Sequence, residues 1–184
     1  MEHSYLPSVI KQFEYYKSLG DKTFAQLTFE ELQKEFKDNS NSIAIIVKHI
    51  VGNMLSRWTN FLTEDGEKDW RQRDDEFIDT FQNRKDLITA WDNGWACLFN
   101  AITPLQSKDL ERLVYIRNQG HTVTEAINRQ LAHYSYHIGQ LVFLGKLIKL
   151  DGWQSLSIPK GKSVSYNKEK FNHEKGRRHF TDDL

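Results

Sequence analysis

Two histidines, His133 and His137, stand four residues apart within the segment INRQLAHYSYHIGQLVFLGK at 127–146. On a helix that spacing puts both imidazoles on one face, one turn apart, where they can chelate one ion without distorting the backbone. A third histidine, His49, lies within SIAIIVKHIVGNMLSRW at 42–58, beside Ile45, Ile46 and Ile50, with Asn53 and Ser56 on the same lane. A polar lane on an apolar helix needs partners, because a buried polar group without one costs about 1–3 kcal/mol. A single divalent ion shared by His49, His133 and His137 would partner all three rings. A core in which the rings only hydrogen-bond would also do so, and an HxxxH pair alone does not choose between the two.

The residue types around these histidines narrow the chemistry. The segment reads His133-Tyr134-Ser135-Tyr136-His137, without the glutamate that serves as general base in HExxH zinc proteases. Structural zinc sites close with four protein ligands and commonly use cysteine. Cys97 is the sole cysteine, and it becomes a fourth ligand only if its helix faces the site. Three nitrogens leave coordination positions open, and such an ion lowers the pKa of bound water, polarises a carbonyl or activates a thiolate. Zn²⁺ and Ni²⁺ suit imidazole best. Asn53 and Gln140 are the candidates to brace the ligand rings or contact a substrate. Tyr134 and Tyr136 read as core residues, His121 as a residue just ahead of a helix, and His3, His173 and His179 as solvated.

The hydrophobic periodicity predicts four long amphipathic helices to carry these residues. The first covers 5–20, with Gly20 as its stop. The second starts at the DNSNS run, capped by Ser40 or Asn41, and reaches about Leu62. The third spans 84–102 with the stripe Leu87, Ile88, Trp91, Trp95, Leu98, Phe99 and Ile102, ahead of Pro104. The fourth is opened by Thr122, with Glu125 completing a capping box, and ends at Asp151-Gly152. A short helical turn is expected at TFEEL (28–32) and a short hairpin within 108–121. The charge-dense stretch EDGEKDWRQRDDEF at 64–77 reads as the start of a surface connection running to 81, pinned by Trp70 and Phe77.

These elements imply an all-α fold, a four-helix bundle over 1–152 with long connections, followed by a polar basic tail at 153–184. Between Pro159 and His179 the tail carries seven Lys/Arg against two Glu, and it is expected to be loosely packed. Hydrophobic residues make up 39 % of the 184, enough for a core. Lys+Arg and Asp+Glu are both 25, so the balance gives no electrostatic case for nucleic acid or an anionic membrane. The start MEHSYLPSVIKQ lacks a basic stretch followed by an apolar run, and no segment has the roughly 18–20 apolar residues of a membrane span. The cytoplasm is the expected compartment.

The chain resembles the DinB-like superfamily, also called the YfiT-like metal-dependent hydrolases, most closely a bacterial subfamily of unknown function. The resemblance rests on residues 42–58 and 127–146, and extends over about 1–160 through WRQRDDEF at 70–77 and WQSLSIPKGKS at 153–163. It implies a bundle in up-down-down-up order, homodimers, and a metal triad whose positions fall on His49, His133 and His137. Some relatives transfer bacterial low-molecular-weight thiols, and another is an isomerase that uses one. Two functions from different classes follow: a metal-dependent enzyme activating a thiol or water on a small-molecule substrate, or a non-enzymatic, stress-related metal- or ligand-binding dimer.

Overall fold

The computed structural model describes residues 4–37 and 40–182; His3 and the Asp38-Asn39 part of the polar run before the second long helix lie outside them. The elements in chain order are α1 (Tyr5–Ala25), α2 (Phe29–Leu32), α3 (Ile43–Trp58), α4 (Arg84–Ile102), β1 (Leu113–Ile116), β2 (Gln119–Thr122), α5 (Val123–Lys149) and α6 (Ser163–Phe171). The fold is mostly helical, with one two-stranded antiparallel hairpin. No described helix is long and apolar enough to cross a membrane.

Local chemistry explains most boundaries. Thr122 and Glu125 form the expected capping box at the start of α5, and Thr28 and Glu31 form another at α2. The cap of α3 is Ser42, whose hydroxyl accepts from the Ile45 N–H, so neither Ser40 nor Asn41 fills that role. The helix stops at Trp58, short of Leu62, because Asn60 turns the chain with a left-handed φ of 48°. α1 runs through Gly20 to Ala25. Gly20 is no stop: a Cβ there would sit 2.4 Å from Trp91 Cζ2, so its bare backbone is what lets α1 approach α4.

Side-chain contacts fix the helix directions. Tyr5 donates to the Thr124 carbonyl and Asn128, while Thr23 lies beside Gly145, so α1 and α5 run parallel. Phe24 meets Trp91 and Phe13 meets Trp95, so α4 opposes α1. Val51 lies against Gly94, and Thr59, just past α3, against Cys97, so α3 is parallel to α4. The order is up-down-down-up. The core is built on Phe13, Phe24, Trp91, Trp95 and Tyr134, rings in edge-on or tilted contact at 5.1–6.4 Å.

Parallel neighbours impose a crossover. The chain leaves the lower end of α3 and must regain the upper end to begin α4, a return of about 24 Å. Residues 59–83 make that return. Gly66 is tied at the bottom to Ser56 and to the Tyr115 carbonyl, Lys48 donates to the Ile78 carbonyl near the top, and Arg84 reaches the Phe24 and Leu27 carbonyls. The crossover therefore runs along α3. It is only partly a surface connection: Glu76 is buried and the Arg71 side chain is 3 % exposed. Trp70 is 56 % exposed, whereas Phe77 stacks on His49 with ring centroids 5.2 Å apart.

The C-terminal segment buries no described residue, as expected of a loosely packed tail, but it touches the bundle at two places. Gln154 and Gln26 exchange hydrogen bonds of 2.8 and 3.2 Å. α6 forms with no buried residue. Farther on, Phe180 meets Tyr15 edge-on, His179 contacts the Ser8 hydroxyl and Asp182 pairs with Lys11 on α1, so His179 is not simply solvated.

Candidate metal centre

α3 and α5 run antiparallel, and this places His49 opposite the HxxxH pair. One ring nitrogen from each of His49, His133 and His137 lies within 4.8 Å of the other two, and among the described residues this is the one such group of potential ligands. His133 Nε2 stands 3.1 Å from His137 Nε2 and 3.4 Å from His49 Nε2. Imidazole nitrogens held at about 2.0–2.1 Å around a tetrahedral ion stand about 3.3 Å apart, so the spacing fits a metal.

The outward-facing nitrogens decide what the inward-facing ones can be. His49 Nδ1–H donates to Glu76 Oε2 at 2.9 Å. His137 Nδ1–H donates to Gln140 Oε1 at 2.9 Å. Both acceptors hold the proton on Nδ1 and leave a bare lone pair on Nε2. Two lone pairs therefore face His133 Nε2. A proton there satisfies one of them, whereas a cation satisfies all three rings.

Glu76 is itself braced. Arg71 donates to it twice, Nε to Oε1 at 2.7 Å and an Nη to Oε2 at 3.0 Å. Burial alone would raise the Glu76 carboxyl, but the hydrogen bonds from His49 and Arg71 outweigh it and hold the group below the usual carboxylate range. Arg71–Glu76–His49 is the carboxylate–histidine arrangement that orients metal ligands and increases their basicity. His133 responds to its surroundings in the opposite sense. Burial pushes its pKa down to about 3, helped by the His137 and His49 rings and by Arg57 and Arg71. Burial likewise lowers His137, against the hydrogen bond to Gln140. His133 and His137 are thus held neutral, the form that binds metals.

The other expected residues fall as follows. Asn53 is buried, and its Oδ1 accepts from the Tyr134 hydroxyl at 3.0 Å, which in turn accepts from Trp58 Nε1 at 3.0 Å. Gln140 braces His137. Tyr134 is a core residue as expected, but Tyr136 is 63 % exposed, its ring set edge-on to that of His137 with centroids 4.9 Å apart. Cys97 does not face the site: it lines a separate cavity of about 580 Å³ near the lower ends of α3 and α4, with Thr59 and Phe61. A cavity of about 210 Å³ opens beside the histidines, bounded by His49, His133 and Asn53.

Glu76 and Arg71 were not expected. The signal that marks them is Gly52, mid-helix and three residues after His49, where glycine costs about 1 kcal/mol against alanine. A Cβ at Gly52 would lie 2.3 Å from Glu76 Oε1. The glycine is the seat of the buried carboxylate.

Residues 1–162 match a family described as a protein of unknown function, DUF1572, and the chain belongs to that family. No curated protein and no solved structure matches it.

Proposed function

We propose that His49, His133 and His137 hold one divalent metal ion, Zn²⁺ or Ni²⁺, and that the protein is a metal-dependent enzyme of the DinB-like kind acting on a small molecule in the adjoining cavity. The observation that carries this reading is the convergence of two bare Nε2 atoms on the third ring, with Glu76 and Gln140 holding the protons on the far side. When bound, the ion supplies a Lewis acid with open positions for a thiol, water or carbonyl oxygen. The chain's own residues do the rest. Glu76 and Arg71 orient His49, Gln140 orients His137, and Tyr134 fixes the Asn53 carboxamide so that its NH₂ is the donor not committed to the core.

A second reading, a non-enzymatic binder, is favoured by one observation. The carboxylate nearest the site, Glu76, is engaged by His49 and twice by Arg71, so it is not free to take up a proton during a reaction. Assays of thiol transfer to electrophilic acceptors, with bacillithiol, glutathione and related thiols, separate the two. The enzyme reading expects turnover by the metal-loaded protein and its loss in His137→Ala. No turnover with any thiol by fully loaded protein leaves the binder.

A further inference from the structure

The cavity beside the three histidines is walled by guanidinium groups. Arg57 comes from α3, Arg71 and Arg73 from the crossover, Arg117 from the turn of the β1–β2 hairpin and Arg129 from α5. The chain as a whole is balanced, 25 basic residues against 25 acidic. Here the balance fails. The carboxylates paired with these arginines are Glu76, Glu67, whose Oε2 is shared by Arg57, Arg71 and Arg117 at 3.1–3.4 Å, and Asp74, fully exposed and 3.9 Å from Arg73. No carboxylate lines this opening of about 210 Å³; among the described residues, its five guanidiniums are met from outside it by those three carboxylates and by Asp65, which acts on Arg57 and sits under the Arg117 turn, so one positive charge remains (5 − 4). Converging like charges repel, and a cleft lined by one sign focuses its field on a ligand of the other.

The arginines divide by role. Arg57 and Arg71 are buried and tied, with side chains 6 % and 3 % exposed. Arg73 and Arg117 have side chains 52 % and 56 % exposed, and Arg129 is exposed, with its guanidinium against the His121 ring at 3.2 Å. These three can swing onto a ligand. The hairpin turn that carries Arg117 is itself anchored, because the Asp65 carboxylate accepts from the backbone N–H groups of Arg117 and Asn118 at 2.8 Å each.

The geometry points to a small-molecule anion as the substrate class: a carboxylate or phosphate group held by Arg73, Arg117 and Arg129, with the rest of the molecule reaching the histidines. This rests on the metal-site reading for what happens at the histidines, but the anion clamp stands on the arginines alone. The shared chemistry, a planar or tetrahedral oxyanion, is what guanidinium forks bind in bidentate fashion.

Calorimetric titration of the full chain, metal-free and zinc-loaded, tests it with inorganic phosphate and succinate against neutral succinamide at fixed ionic strength. The expected result is one saturable site per chain for an anion, preferred over succinamide by at least about tenfold, the worth of one charge-assisted hydrogen bond. Arg117→Gln with Arg129→Gln removes that preference, Arg73→Gln alone weakens it, and Lys34→Gln on the α2 connection leaves it unchanged. All three arginines lie at the surface, so the variants are expected to fold, which circular dichroism checks. No saturation by either anion, or saturation indifferent to all three arginine substitutions, overturns the inference. Zinc content measured on the same samples keeps the two readings apart: anion binding without zinc retention sinks the metal site alone, and zinc retention without anion binding sinks the clamp alone.

Discussion

At the residue scale the site is a set of protonation choices. Glu76 and Gln140 place hydrogens on the outer nitrogens of His49 and His137, and burial keeps His133 neutral with a pKa of about 3, well below the ordinary 6.5. The sign of the pH dependence follows. Between about pH 6.5 and 3 the unfolded chain binds a proton at His133 that the folded chain refuses, so stability falls as pH falls through that window. Urea denaturation of the metal-free protein is expected to show lower stability at pH 5 than at pH 7, and a shallower difference in His133→Gln. Equal pH dependence in the two proteins would contradict this account of His133. Metal retention weakens in the same direction, because protons compete with the ion for the imidazole nitrogens as pH falls.

At the element scale, the helices were legible from periodicity because their packing repeats every turn. The α5 capping box, the α4 stripe and the hairpin all stand where local residues put them. The crossover was not legible. EDGEKDWRQRDDEF reads as solvated because charged side chains usually are, and whether Glu76 and Arg71 are buried depends on α3, which the parallel arrangement of α3 and α4 forces alongside. Gly52 was the one local trace of that contact. Gly52→Ala raises helix propensity by up to about 1 kcal/mol, yet it drives a Cβ into Glu76 and breaks its bond to His49. The expected outcome is near-normal thermal stability with metal affinity down about 10–100-fold, the usual cost of losing a carboxylate behind a ligating histidine. Unchanged affinity would show that Glu76 does not brace the site.

At the scale of the whole molecule, residues from four parts of the chain converge on one opening. The HxxxH pair announces itself because helical spacing is local. The arginines at 57, 71, 73, 117 and 129 do not, because only the up-down-down-up order, the crossover and the hairpin bring them together. The histidine centre is the hub of that convergence, so the claim that its three rings share one ion bears most of the account. X-ray absorption at the zinc edge of the loaded protein tests it most directly. One zinc per chain is expected, with three imidazole nitrogens at about 2.0–2.1 Å and the open positions of the substrate-free protein filled by water oxygen. A spectrum with one imidazole or none, or zinc that washes off with fewer than about 0.2 ions per chain retained, would contradict it.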